Sequence, residues 1–240
     1  MMRKYIVILF LISLSINGFS QVVERPRNLP AFDNKPLHWG FTIGLNSMDF
    51  ATTRNVGDDG TVSPGFVYAD VMGFQPAGFQ VNIVSDLRLS DYWNLRVLPG
   101  INLGSRKVVY YDQTNLISDT SFTIGSSFLD FPVVFKYRSD RVNNYRPYVI
   151  GGFSFKYDMS AKKAFNDADA PILLKRPDLY LEVGFGVDTY LQYFKQSTEI
   201  KLAIGLNNML RDESDSGREE YMESISHLRS FVLMLNFHFE

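Results

Sequence analysis

Apolar and polar residues alternate with a period of two in eight separate stretches of this chain, and the apolar side of nearly every stretch is free of Lys, Asp and Glu. Only a strand places every second residue on one face, so each stretch predicts a β-strand with one oily side and one wet side. The clearest sets Leu179, Leu181, Val183, Phe185 and Val187 against Tyr180, Glu182, Gly184, Gly186 and Asp188. The first sets Trp39, Phe41, Ile43 and Leu45 against His38, Gly40, Thr42, Gly44 and Asn46, and the last sets Phe231, Leu233, Leu235, Phe237 and Phe239 against Ser230, Val232, Met234, Asn236 and His238. The others centre on Val81, Leu95, Val133, Val149 and Leu202.

The connections sort into two kinds. Those after the second, fourth and sixth strands are short and polar, around Ser90–Asp91, Asp140–Asn143 and Gln192–Lys195, whereas the remaining four are long. An even number of antiparallel strands, with the short turns on the side that holds both termini, is the plan of an outer-membrane barrel. The expected fold is therefore all-β: an eight-stranded antiparallel transmembrane β-barrel with short periplasmic turns and long extracellular loops, spanning residues 37–240. A soluble lipocalin-like barrel shows the same alternation with its apolar face turned inward. The polar face argues against it, because Gly40, Gly44, Gly78, Gly100, Gly104, Gly152, Gly184, Gly186 and Gly205 suit a crowded interior better than an open surface. Trp39, Trp93, Tyr137, Tyr145, Tyr157 and Phe237 sit toward the ends of apolar faces, as interfacial girdles require.

Residues 1–20 combine Arg3 and Lys4 with an uncharged stretch and small residues before Gln21, the pattern of a cleaved secretory signal peptide. Residues 21–36 are polar and punctuated by Pro26, Pro30 and Pro36, which predicts an extended periplasmic arm. The expected location after cleavage is the outer membrane.

Composition removes several function classes. A net charge of -2 with interspersed signs carries no nucleic-acid footprint. The absence of cysteine excludes disulfides, thiolate metal sites and a Cys nucleophile. No G-x-S-x-G, Walker or dinucleotide signature occurs, so no enzyme, cofactor or small-molecule substrate is expected. His38 and His238 fall on neighbouring strands after closure, but two imidazoles without a third ligand make no metal site. His227 beside Asp212, Glu213, Asp215, Glu219, Glu220 and Glu223 reads as a solvated acidic loop rather than a protease mouth. The charges of the polar face, Asp86, Arg88, Arg96, Asp130, Lys136, Lys156, Glu182, Asp188, Glu199 and Lys201, are expected to pair within a narrow lumen, joined by Asp158. Eight strands leave an interior that side chains fill, so no protein-sized pore is expected.

Several runs carry a family resemblance: Arg27-Asn28-Leu29-Pro30-Ala31-Phe32-Asp33 entering His38-Trp39-Gly40-Phe41, then Leu129-Asp130-Phe131-Pro132, then Leu181 to Asp188 continuing to Tyr193-Phe194-Lys195 and Glu199-Ile200-Lys201. Over residues 24–240 the chain resembles the PorT family, outer-membrane barrels of Bacteroidetes required for type IX secretion and, in gliding species, motility. The Leu-Asp-Phe-Pro and Glu-Val-Gly-Phe-Gly runs are common to other small barrels of these bacteria, while the arm and the Tyr-Phe-Lys turn are more particular. The resemblance implies a non-enzymatic part in protein export, with membrane lipid and other secretion components as partners. The contact surfaces expected from it are the long loops and the arm, with Asn28, Leu29, Pro30, Phe32 and Asp33 as candidate partner-contact residues. A small structural or adhesin-type barrel unrelated to secretion is the alternative.

Overall fold

A computed structural model describes residues 26–54, 77–110, 120–160, 175–209 and 225–240. The expected signal peptide, its cleavage site and the acidic loop from Asp212 to Glu223 lie outside these residues, as does the side chain of His227. The strands are β1 (Leu37–Arg54), β2 (Gly78–Arg88), β3 in two segments (Trp93–Val97 and Gly100–Tyr110), β4 (Thr120–Arg138), β5 (Tyr145–Asp158), β6 (Pro177–Tyr190), β7 (Lys195–Gly205) and β8 (Ile225–Phe239). Every strand pairs antiparallel with its neighbours in the chain, and β1 pairs with β8 from Phe41 opposite Phe239 to Arg54 opposite Ile225. The sheet is thereby closed into an eight-stranded barrel with no free edge, the arrangement that satisfies every backbone group of a membrane-crossing strand.

Alternation is converted directly into an inside and an outside. Trp39, Phe41, Ile43 and Leu45 on β1 point away from the barrel, as do Val183 and Phe185 on β6, while Thr42, Asn46, Tyr180 and Glu182 are buried within it. Trp39, Trp93, Tyr137 and Tyr145 lie outside near the end that carries the short turns, with the Trp93 and Tyr137 rings 5.0 Å apart. Glycines on the inner face make room for larger neighbours: a Cβ on Gly186 would sit 2.6 Å from the Tyr148 hydroxyl. An open surface has no such crowding, so this glycine faces a filled lumen.

Three features depart from the sequence-based expectation. Strands β1, β3, β4 and β8 run further toward the long-loop end than the alternation does; β4, for example, begins at Thr120 rather than near Leu129. Above the apolar band the outer face no longer needs to be oily, so the pattern fades while the backbone ladder continues. Secondly, β3 is interrupted at Leu98–Pro99, where Pro99 has no amide hydrogen to give to a ladder. The neighbours stay satisfied through Leu98 N donating to Pro132 O at 3.0 Å and Ile83 N donating to Pro99 O at 2.9 Å. Thirdly, the described part of the arm is not extended: it turns at Leu29, which has φ 48°, and makes a single 3-10 turn over Phe32–Asn34 before β1. Its polar residues divide: Asn28 and Asp33 are half-buried against other polar groups, whereas Arg27, Asn34 and Lys35 are exposed.

Candidate functional site: the charged lumen and its floor

The interior is built in tiers. Nearest the short turns, Arg96 on β3 pairs with Asp86 on β2 at 2.8 Å, with Glu240 at 3.1 Å and with Glu199 on β7 at 3.5 Å. Lys136 on β4 reaches Asp188 on β6 at 2.8 Å and lies 3.8 Å from the centre of the Tyr148 ring. Tyr148 in turn donates to Glu199 at 2.9 Å. A tier above, Lys156 on β5 pairs with Asp130 on β4 and with Glu182 on β6, the latter at 3.5 Å, and Lys201 on β7 closes on Glu182 at 2.8 Å. Higher still, Arg106 on β3 pairs with Asp158 at 2.8 Å and is sandwiched against Phe50 and Phe128. All these charges are buried. Removing a charge from water costs several kcal/mol unless partners replace the hydration, which the tiers do by alternating sign. The packed polar interior leaves no width for a conduit at these levels.

Of the eleven charges assigned to the lumen from sequence, Asp158 included, the structure places ten inside. Arg88 is the exception: it sits at the rim, pairs with Asp91 and donates to the Asp33 carbonyl at 2.6 Å. As the last residue of β2 it lies beyond the level where the barrel encloses its side chain. Lys195, which the sequence places in a short turn, and Glu240, the last residue, have buried side chains and pair at 2.8 Å. Arg106 was also missed, because alternation had already faded around it. His38 and His238 do not meet. Nε2 of His38 lies 2.8 Å from the Phe32 carbonyl, whereas Nδ1 of His238 lies 2.6 Å from the Thr42 hydroxyl and its Nε2 is 3.4 Å from Glu199. Among the described residues no group of three or more His, Cys, Asp or Glu is arranged to hold a metal.

The arm forms the floor beneath these tiers. Asp33 approaches three arginines, Arg138 and Arg146 at 3.3 Å and Arg141 at 3.8 Å, and accepts a hydrogen bond from the Tyr190 hydroxyl at 2.8 Å. Asn28 is held at both ends: its amide N–H donates to the Asn144 side chain at 2.9 Å and its side chain donates to the Tyr190 carbonyl at 3.0 Å. The Phe32 ring stacks on His38 at 4.2 Å and receives the Lys195 ammonium at 5.0 Å. In the β4–β5 turn, burial pulls the Arg141 guanidinium below its ordinary value while Tyr190 and Asp33 pull it back, and an arginine remains charged at neutral pH. Of the arm residues expected to meet a partner, Asn28, Phe32 and Asp33 are thus engaged by the barrel itself. Leu29 and Pro30 form the turn between them.

A closed antiparallel barrel with an apolar exterior, an aromatic belt and a salt-bridged interior defines a β-barrel membrane protein. The chain belongs to the outer membrane protein beta-barrel domain family, which it matches over residues 19–211. It is similar to solved structures of OprG from Pseudomonas aeruginosa (12% identity over 84% of this chain and 94% of that one, TM-score 0.45) and of Neisserial surface protein A (10% identity, 85% and 98%, TM-score 0.41). It is also similar to Ail, the attachment invasion locus protein of Yersinia pestis (10% identity, 85% and 98%, TM-score 0.37). No curated protein matches it.

Proposed function

We propose that this outer-membrane barrel, exported by a cleaved signal peptide, is a non-enzymatic accessory component of type IX secretion, serving motility as well in gliding species. The observation that carries the reading is the arm: the run Arg27 to Asp33, on which the family resemblance rests most particularly, is folded into a specific network under the barrel rather than trailing from it. The filled interior supports an accessory role, since cargo could not pass through a lumen occupied by Arg96, Lys136 and Lys156 and their partners. Function then falls to the surfaces the barrel presents: its arm and turns on the periplasmic side and its loops on the other. The test is deletion of the gene followed by measurement of cargo in the medium and on the cell surface. Loss of both, restored by the wild-type gene, is expected. Normal export with loss of adhesion would replace this reading with an adhesin-type barrel.

A further inference from the structure

The floor of the barrel gathers positive charge in excess of the carboxylates that the described residues place within ion-pair distance. Among the described residues, Asp33 is the one carboxylate within ion-pair distance of Arg138, Arg141 or Arg146. Their remaining bonds go to neutral groups: Arg146 donates to the carbonyls of Ser139 and Asp91, at 2.6 and 2.9 Å, and Arg141 to the Asn143 carbonyl at 2.9 Å. Arg138 is almost entirely buried, with 3% of its side chain exposed, yet its Nε has no hydrogen-bond partner among the described residues. Nδ1 of the buried His38, whose ring stacks on Phe32 of the arm, is also unpartnered among the described residues. Planar guanidiniums converging on one carboxylate, with a donor left over, have the chemistry of a site for acidic groups.

We propose that Arg138, Arg141 and Arg146 form a carboxylate-binding site for an acidic peptide segment of a periplasmic partner, and that Asp33 fills this site in cis until the partner displaces the arm. Asp33 shows how such a carboxylate binds: against the guanidiniums, with the Tyr190 hydroxyl as a further donor. The arm is suited to displacement because it belongs to no strand ladder and is held by separate contacts at Asn28, Phe32 and Asp33 around the left-handed Leu29. A peptide is the fitting occupant because Arg138 and Arg146 occupy inward-facing strand positions at the end of the barrel axis, whereas lipid headgroups lie against the outer wall. The proposal uses the membrane orientation but not the role in export, so either can fail without the other.

The natural absence of cysteine allows a single nitroxide on Leu29→Cys in the full chain refolded into micelles. The probe is a synthetic fluorescent peptide with capped termini copying residues 28–34, in which Asp33 supplies the one charge. In an Asp33→Asn background the label should become mobile, and the peptide should bind about tenfold more tightly than to the wild type, the consequence of losing one charge-assisted contact in cis. Binding should disappear when the peptide carries Asn in place of its Asp, and when Arg138→Gln and Arg146→Gln are added. Asn28→Ala, which loosens the arm without touching the ion pairs, should raise peptide binding as well. A label as immobile in Asp33→Asn as in the wild type overturns the latch. Peptide binding that ignores Asp33, or that is abolished by phosphatidylglycerol in the micelle, overturns the peptide site.

Discussion

Two sets of buried charges in this barrel look alike and are organised oppositely. In the middle of the lumen, Lys156, Asp130, Glu182 and Lys201 all belong to strands, two cations against two anions, each fixed by a ladder that cannot move without opening the sheet. At the floor, three arginines are met by one carboxylate carried on a segment outside every ladder. Matched charges on rigid elements hold a shape. Mismatched charges closed by a separable piece suit an exchange of one carboxylate for another, and the proposed exchange is confined to the floor.

The contrast can be broken experimentally. Its strongest consequence is Lys156→Met, which leaves Asp130 and Glu182 sharing fewer cations in a dry interior and should cost about 3–5 kcal/mol in urea unfolding from micelles. Adding Asp130→Asn should recover part of that loss, because one stranded charge is then gone. The outer wall gives the next effect: Val183→Lys, midway along β6 and facing outward, should cost about 2–4 kcal/mol in lipid if it meets the bilayer midplane. At the floor, Asp33→Asn should lower barrel stability by only about 1 kcal/mol, since Asp33 is partly exposed and its loss leaves every ladder intact, even as the arm is freed. A loss as large as that of Lys156→Met would make the arm part of the barrel's fixed architecture. Least of all, Arg88→Gln should change stability by no more than about 0.5 kcal/mol, its partner Asp91 standing in solvent at the rim.

Legibility followed the membrane. Wherever a strand crosses the apolar band, lipid demands an oily residue at every second position, so Leu179 to Asp188 could be assigned to their faces from sequence alone. Outside the band that demand ends, and strand ends such as Thr120 and lumen residues such as Arg106 became invisible to periodicity. Inward charge was legible as a class but its partners were not, because pairing depends on barrel stagger: Lys136 meets Asp188 two strands away, not its immediate neighbour across the ladder, Ile150. The arm was the largest miss. Proline spacing and polarity describe an unpacked segment as well as one packed on arginines, and the difference lies in Arg138, Arg141 and Arg146, more than a hundred residues away.

The seam between β1 and β8 joins the first and last strands of the chain. Such a contact spans nearly the whole sequence, so the barrel cannot be completed while the chain is still emerging, and local hairpins must wait for the slowest loop closure in the molecule. Until the seam forms, an open sheet would turn Glu199, Lys201 and Arg96 toward whatever surrounds it. Closing the ring is therefore what makes this sheet compatible with hydrocarbon: it pairs the last two edges and lets these charges face one another across the lumen.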